Sequence, residues 1–407
     1  MSNKFIIILL FNVFAASGQD TNLTYYQDIA PIIIENCASC HKENGYGPFE
    51  LTTYKQVVKK GMFISHVVET KYMPPWRADS NFRHFKNERI LSEEEINKIV
   101  EWVEQGMKKG KVTKMPPIPE LNLNSDKPDL TLKMKQPYEI SDAGIEDFRF
   151  FHVPTNLNED VYIKSIEFIP GNKRLVHHSR VMSDTSNLIA AIDGLSEMDP
   201  KIKEFQKTPL FDEFLYGWVP GNLPVEFPLG TGKKLPANTD LLLNVHYAPS
   251  AEIKYDVSSV KIYFTDSEVK EEIKTLAIRE NDIANQPFVI PANEEKRFFV
   301  SYVVSETMKI ISVQPHMHYL GKSFTALAAT PDGREIPLIK IDEWDFNWQT
   351  TYLLEEPLEI PGGSVILVSA LFDNTSSNPA NPNNPPIQVG YGWNSTDEMM
   401  NFIIYYY

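Results

Sequence analysis

Residues 241–247 read Leu-Leu-Leu-Asn-Val-His-Tyr and are followed by Ala-Pro-Ser. Similar short runs, separated by segments with Pro, Gly and Asn, occur at Val161–Ile169, Phe298–Val304 and Ser364–Phe372. Runs of this kind between turn residues are typical of strands in a β-sandwich. Roughly 280 residues follow residue 128, which is long for one sandwich. The pattern therefore predicts two consecutive all-β sandwiches, jelly-roll-like in type, at residues 129–280 and 281–407.

The first part of the chain has a helical pattern. Thr24–Asn36 contains an apolar stretch, and Ser92–Lys109 carries apolar residues at helical spacing. Ser92 and Glu95 form a capping box, and Gly110 suits a helix end. Four prolines then mark residues 111–128 as a semi-rigid linker. We therefore expect a multidomain chain in which a small all-α domain, residues 22–110, precedes the sandwiches.

Residues 1–18 are predicted to be a secretory signal peptide. Lys4 precedes the apolar run Phe5–Ala16, and Ala16-Ser17-Gly18 offers the small residues of a cleavage site. An N-terminal anchor is the alternative, but the run is shorter than the roughly 20 residues that span a bilayer. We expect a periplasmic or secreted protein with no membrane span in the mature chain. A net charge of −15 argues against a nucleic-acid partner, because phosphate contacts require a clustered positive surface.

Cys37-Ala38-Ser39-Cys40-His41 forms a C-x-x-C-H motif. Its two thiols are spaced to add to the vinyl groups of one haem, and the following His can ligate the iron. Cys37 and Cys40 are the only cysteines, so a framework of disulfides is excluded, and a redox pair or loop disulfide is the alternative. With its flanking helices, the segment resembles a small class I cytochrome c domain. The resemblance implies a covalently bound haem c.

Met73, in Lys-Tyr-Met-Pro-Pro-Trp, is the preferred sixth haem ligand. Two following prolines hold the backbone extended and orient the thioether. His66 is the alternative, since imidazole also suits haem iron. Met62 and Met107 lie on predicted helical faces, where packing in the core is expected. Methionine ligation would raise the haem potential and make the domain an electron carrier.

Five of the nine histidines are candidate metal ligands in the β region: His177, His178, His246, His316 and His318. His316-Met317-His318 on a strand would project both imidazoles to one face. The adjacent His177 and His178 would point apart. They can share a metal only if the strand is twisted or bulged, or if the rings use different nitrogens.

Copper is the metal that this ligand set favours. A blue-copper site needs a Cys thiolate, and both cysteines are committed to haem, which also excludes the usual copper nitrite reductase. Imidazole copper remains, with methionine as a soft extra ligand for Cu(I). Zinc and non-haem iron more often recruit a carboxylate.

The region from about 128 to 407 resembles the copper type II, ascorbate-dependent monooxygenases, which include peptidylglycine α-hydroxylating and dopamine β-monooxygenase. Four motifs carry the resemblance, in order: Val176-His177-His178; Gly217-Trp218 with Asn244-Val245-His246-Tyr247; His316-Met317-His318-Tyr319-Leu320-Gly321-Lys322; and Asp397-Glu398-Met399-Met400-Asn401 before Ile404-Tyr405-Tyr406. The resemblance implies two copper ions. One is bound by His177, His178 and His246, and the other by His316, His318 and Met399, with Met400 as the alternative to Met399.

The same resemblance implies two packed sandwiches whose coppers face each other across a solvent-filled cleft. It further implies that O₂ hydroxylates an activated C–H bond of a small organic substrate at the copper bound by His316, His318 and Met399. The three-His copper supplies an electron. We expect the fused haem to supply electrons at least in part, with ascorbate or a redox protein as a possible external donor. The alternative is a haem and copper electron-transfer or copper-handling protein that activates no oxygen.

Two departures from the family pattern are informative. Gln314 stands where the peptidylglycine enzyme has an Arg for the substrate carboxylate, and Ile403 stands where it has a Tyr, although Asn401 matches a substrate contact. Peptidylglycine is therefore disfavoured, and a neutral or amine-bearing compound with a weak benzylic or α-heteroatom C–H is expected. The β region also lacks cysteine, so its two halves are expected to rely on apolar packing.

Overall fold

The computed structural model describes residues 22–86, 88–119, 126–205 and 212–407. The predicted signal peptide, residues 1–18, lies outside these ranges. Within them, no helix combines the length and apolar character needed to cross a membrane. The described parts of the predicted linker, residues 111–119 and 126–128, contain neither helix nor strand.

The first described segment is helical. A π-helical turn at Tyr25–Ile29 leads into α1 (Ala30–Asn36), and α2 (Tyr54–Glu69) and α3 (Glu93–Glu104) follow. The predicted capping box of Ser92 and Glu95 is confirmed, although α3 ends before the predicted Lys109. The helices enclose an apolar core of their own. That these helices form a cytochrome c domain stays a prediction.

The described residues also form 22 strands, in two groups that we call the first and second β units. The strands of the first β unit are β1 (Leu130–Lys133), β2 (Tyr138–Ile140), β3 (Asp147–Pro154), β4 (Val161–Ile169), β5 (Val176–Asp184), β6 (Asp212–Trp218), β7 (Val225–Glu226), β8 (Thr231–Leu235), β9 (Asp240–Tyr247), β10 (Lys254–Asp256), β11 (Ser259–Phe264) and β12 (Glu271–Glu272). A short helix, α4 (Pro200–Phe205), precedes β6.

The strands of the second β unit are β13 (Lys274–Ile278), β14 (Val289–Ile290), β15 (Glu295–Val303), β16 (Met308–His316), β17 (Gly321–Ala329), β18 (Glu335–Ile341), β19 (Tyr352–Ile360), β20 (Val365–Asp373), β21 (Val389–Gly390) and β22 (Asn401–Tyr406). The four runs predicted as strands from the sequence correspond to β4, β9, β15 and β20. One boundary differs. β13 pairs with β22, so the second β unit begins before the predicted residue 281.

Each β unit contains two larger sheets. In the first, the sheet orders are β1-β11-β4-β8-β12, with β7 beside β4, and β3-β9-β5-β6. In the second, the orders are β13-β22-β16-β19 and β15-β20-β17-β18. Each pair of sheets lies around its own cluster of buried apolar side chains, as expected for two consecutive sandwiches.

β22 joins the two apolar cores. Phe402 and Ile404 pack in the core of the second β unit, whereas Ile403 and Tyr405 pack in that of the first. This division follows from the alternation of side chains along a strand. The Tyr405 hydroxyl also donates to the Phe214 carbonyl at 3.0 Å. The two β units are thus held together by apolar packing, as the lack of cysteine led us to expect.

The segment between α2 and α3, residues 76–86, contacts the second β unit. Ala78 and Phe85 belong to that unit's apolar core, and the Trp76 ring lies 5.1 Å from that of Tyr352. Arg77 Nη2 pairs with Asp345 at 2.8 Å, and both side chains are largely buried. We call residues 76–86 the docking segment. The helical part is therefore attached by direct contacts as well as by the linker.

The Arg77–Asp345 pair should contribute measurably to stability. We expect Arg77→Met to lower the free energy of unfolding by about 1.5–3 kcal/mol, because it leaves the Asp345 carboxylate without its charged partner. Urea unfolding measures the change. Lys71→Met is the matched control, since Lys71 pairs with Glu93 on the exposed surface and its loss should change little. Equal effects of both substitutions would contradict this account.

Candidate metal centres

A β-bulge brings together three histidines of the first β unit. Val176 pairs with Tyr247 and His178 with His246, so two residues of β5 face one of β9. His177 is the extra residue. Its ring centroid lies 5.0 Å from that of His246, and the His178 centroid lies 4.7 Å from it. The bulge is thus one of the irregularities that would allow the adjacent residues His177 and His178 to share a metal.

The nitrogens of these rings have the spacing of metal ligands. One ligand atom from each of His177, His178 and His246 lies within 4.8 Å of the others. The Nδ1 atoms of His178 and His246 are 3.3 Å apart. Two nitrogens bound to one tetrahedral ion at about 2.0 Å have nearly this separation. His177 Nδ1 is buried and makes no hydrogen bond within the described residues. We call this cluster the three-His site.

Burial keeps two of the ligand candidates neutral. It lowers the pKa of His177 to about 4, and it lowers that of His178 well below the usual value. A neutral imidazole has the lone pair that a metal needs. The other face of the site includes a carboxylate, because Glu146 Oε2 lies 3.6 Å from His246 Nε2. This contact helps to lower the pKa of Glu146. The sequence analysis missed Glu146, which belongs to no motif.

His316 and His318 form a second cluster, where β16 ends. Our prediction that both lie on the strand is wrong, since β16 stops at His316 and His318 lies beyond it. Their ring centroids are nevertheless 5.1 Å apart. His318 Nδ1 is 3.0 Å from the Asp397 carbonyl, and His316 Nδ1 bonds to Gln349 Oε1. With each Nδ1–H engaged, both Nε2 atoms retain their lone pairs for a metal.

Burial acts on this pair in the same way. The pKa of His318 is lowered to about 4, and that of His316 lies well below its usual value. His316 Nε2 is buried and has no hydrogen-bond partner among the described residues. This donor set fits a soft ion when a thioether is added.

The buried carboxyl group of Glu398 connects the Met399 segment to this cluster. Glu398 accepts backbone N–H bonds from His318 at 2.9 Å, Leu320 at 2.7 Å and Met399 at 3.2 Å. Burial raises the pKa of Glu398 to about 8, although these hydrogen bonds act to lower it. Met400 packs in the core of the second β unit, whereas Met399 Sδ lies 3.6 Å from Asn401 Nδ2. We call His316, His318 and Met399 the His-Met site.

The two clusters are close to each other. The Phe346 ring centroid lies 5.5 Å from that of His178 and 5.7 Å from that of His318. A cavity of about 20 Å³, with space for one or two water molecules, is lined by His178 and His316 together with Gln314 and Asn401. In the described part of the chain, the clusters are therefore separated by Phe346 and this small cavity. The wide solvent-filled cleft that the resemblance implied is not found there.

The C-x-x-C-H motif lies on the side of the helical part that faces the first β unit. Cys37 and Cys40 are free thiols. His41 Nδ1 is 2.9 Å from the Phe49 carbonyl, which leaves Nε2 for a metal. The Tyr46 ring lies 5.6 Å from that of Trp218. A Cβ atom placed on Gly221 would be 3.5 Å from Cys40 Sγ, so this thiol lies next to the first β unit.

The candidates for the sixth haem ligand lie on and after α2. Met73 is half-buried, and its N–H donates to the Val67 carbonyl at 3.0 Å. His66 is exposed on α2. Met62 is 74% exposed, so its predicted role in core packing is wrong. The Met107 sulfur does pack against Gly61, although Met107 lies beyond α3 and not on a helix.

Part of the chain matches a known family. Residues 288–407 match the model of the C-terminal domain of the copper type II ascorbate-dependent monooxygenases. This match covers most of the second β unit, including all three residues of the His-Met site. It supports a copper-dependent oxidoreductase in general terms and makes copper the expected metal. No curated protein matches the chain.

The similarities to solved structures are weak. A two-domain protein of unknown function from Bacteroides fragilis is 13% identical, with a TM-score of 0.16 over 66% of this chain and 94% of that one. The infectious bursal disease virus VP2 subviral particle is 9% identical, with a TM-score of 0.18 over 70% of this chain and 74% of that one. Bacillus subtilis oxalate decarboxylase is 9% identical, with a TM-score of 0.13 over 73% of this chain and 85% of that one. At these TM-scores the likenesses carry no information on fold or function.

Glu398 should be essential for the geometry of the His-Met site. In Glu398→Gln, one carboxyl oxygen that accepts a backbone N–H becomes an NH₂ group, which cannot accept one. We expect a loss of about 1–3 kcal/mol in stability and weaker Cu(I) binding, measured by urea unfolding and by competition with a chelator. Glu356→Gln, at an exposed carboxylate of β19, is the control. Unchanged Cu(I) affinity in Glu398→Gln would contradict the positioning role.

Proposed function

We propose that the protein is an exported, periplasmic or secreted copper monooxygenase that hydroxylates an activated C–H bond of a small organic substrate with O₂. The observation that carries this proposal is the pair of largely buried histidine clusters next to one cavity. The three-His site offers imidazoles alone, whereas the His-Met site adds a thioether, which favours Cu(I). This difference suits one site to electron supply and the other to O₂ chemistry.

His177, His178 and His246 would bind one copper ion, and His316, His318 and Met399 the other. Bound copper would supply one-electron redox chemistry and an oxygen-binding centre. Gln349 engages Nδ1 of His316, and the Asp397 carbonyl engages Nδ1 of His318, which leaves both Nε2 atoms free to bind copper.

Phe346 packs against imidazoles of both sites and limits the water between them. The small cavity is lined by the neutral amides of Gln314 and Asn401 and by the cationic Arg180, a lining that suits a neutral substrate better than a protonated amine. A weak benzylic or α-heteroatom C–H remains the proposed point of attack.

Substitution of Met399 distinguishes the oxygenase from an electron-transfer or copper-handling protein. In the copper-loaded protein with ascorbate, we expect Met399→Leu to abolish substrate-dependent O₂ uptake across a panel of small aromatic compounds and amines. Leu removes the thioether at nearly constant volume. Met400→Leu, in the apolar core, should retain activity. If the wild-type protein consumes no O₂ with any compound while its coppers still cycle, an electron-transfer or copper-handling role replaces the oxygenase.

We further propose that Cys37, Cys40 and His41 bind haem c, with Met73 as the sixth ligand and His66 as the alternative. The two free thiols and the Nδ1 bond of His41 support this assignment, because such a bond orients an axial histidine. The haem would supply single electrons to the three-His site, with ascorbate or a redox protein as external donor. Tyr46 contacts Trp218, whose neighbour Gly217 lines the cavity beside His178.

Stopped-flow absorbance tests the haem assignment and the electron route together. Reduced haem in the Cu(II)-loaded protein should be oxidised in a single turnover. We expect His177→Ala to abolish this reaction, since it removes a ligand of the receiving site, and His316→Ala to preserve it. A haem that stays reduced with both sites loaded would contradict the route, and the lack of covalent haem after export would contradict the assignment.

A further inference from the structure

Glu146 occupies a position between the two metal sites, although it belongs to no motif. It lies just before β3, and its side chain is 40% exposed. Oε2 faces His246 Nε2 at 3.6 Å and accepts a hydrogen bond from the Tyr319 hydroxyl at 2.5 Å. One carboxylate oxygen therefore contacts a histidine of the first β unit and a tyrosine of the second.

The contact with His246 bears on which nitrogen meets the metal. A neutral imidazole carries one proton, so a metal on Nδ1 requires that proton on Nε2. His246 Nδ1 lies 3.3 Å from His178 Nδ1, on the ligand side of the cluster. The buried Nε2–H then lies 3.6 Å from Glu146 Oε2, which is longer than a hydrogen bond, so the carboxylate favours this tautomer through its negative charge.

The contact with Tyr319 extends to the other site. Tyr319 follows His318 in the chain, and its ring centroid lies 4.4 Å from that of Phe346. Phe346 in turn packs against imidazoles of both sites. The hydrogen bond from Tyr319 to Glu146 thus crosses between the β units beside the aromatic ring that separates the two clusters.

We propose that Glu146 is a positioning residue that holds His246 with Nδ1 toward the metal and, through Tyr319, links the three-His site to the turn of the His-Met site. This inference rests on the proposed function only in requiring copper at the three-His site. It does not require oxygenase activity or haem.

Cu(II) binding to the three-His site tests the proposal directly. The full chain with His316→Ala, which weakens the second site, is titrated with Cu(II) against a chelator. We expect Glu146→Ala to raise the dissociation constant 10–100-fold. Glu146→Gln, which keeps a neutral acceptor, should recover part of that loss. Glu252→Gln, at an exposed carboxylate paired with Lys254, should match the parent protein.

Pulsed EPR provides a readout that a general structural role would not change. The remote nitrogen of each Cu(II)-bound imidazole gives echo modulation that depends on the polar groups around it. For His246 that nitrogen is Nε2, so its share of the modulation reports on Glu146. We expect the modulation to change in Glu146→Ala, to return in part in Glu146→Gln, and to stay constant in Glu252→Gln. Unchanged modulation in Glu146→Ala would overturn the tautomer role even if the affinity falls.

Tyr319→Phe tests the link between the sites. It removes the phenol and leaves the carboxylate, so the Cu(II) affinity of the three-His site should fall by less than in Glu146→Ala. The two substitutions should be non-additive, because they break the same hydrogen bond. Additive effects would overturn the link. A loss of an oxygen ligand from the Cu(II) spectrum of Glu146→Ala would show direct coordination and overturn the positioning role.

Discussion

The register of β22 is the constraint on which the arrangement of both candidate sites depends. This strand is buried on both faces, and alternate residues fill the cores of the two β units. Its pairing with β16 places Asn401 opposite His316 and Ile403 opposite Gln314. A slip of one residue would exchange the two faces, so the apolar pattern strongly specifies this register. The contacts that join the β units therefore also bring the Met399 segment beside the His316 cluster.

The two sites present different nitrogens to a metal, and their neighbours decide which. In the His-Met site, Gln349 and the Asp397 carbonyl engage Nδ1 of His316 and His318, which leaves Nε2. In the three-His site, the Nδ1 atoms of His178 and His246 face each other at 3.3 Å. Because Nδ1 is nearer the backbone than Nε2, the nitrogens that face each other in the three-His site lie closer to their strands than the free Nε2 atoms of His316 and His318 do.

The sequence predicted the strands and the candidate ligands better than the contacts around them. β4 and β9 follow from apolar runs between turn residues, and five histidines stood out by their pairing and motif positions. The bulge at His177 was one of several possibilities, because alternation alone places neighbours on opposite faces. Glu146, Gln349 and Phe346 had no signal at all. They lie in loops, and only tertiary contacts bring them to the imidazoles. Glu146 reaches His246 within the first β unit, Gln349 reaches His316 within the second, and Phe346 contacts imidazoles of both.

The docking of the helical part and the walls of the metal sites depend on the same loop. Residues 342–351 connect β18 to β19, and Asp345 in this loop pairs with Arg77 of the docking segment. The next residue, Phe346, lies between the two histidine clusters, and Gln349 bonds to His316. A loop of this length has many conformations unless contacts restrict it. The docking segment supplies such contacts, so the helical part helps to shape the sites that it is proposed to serve with electrons.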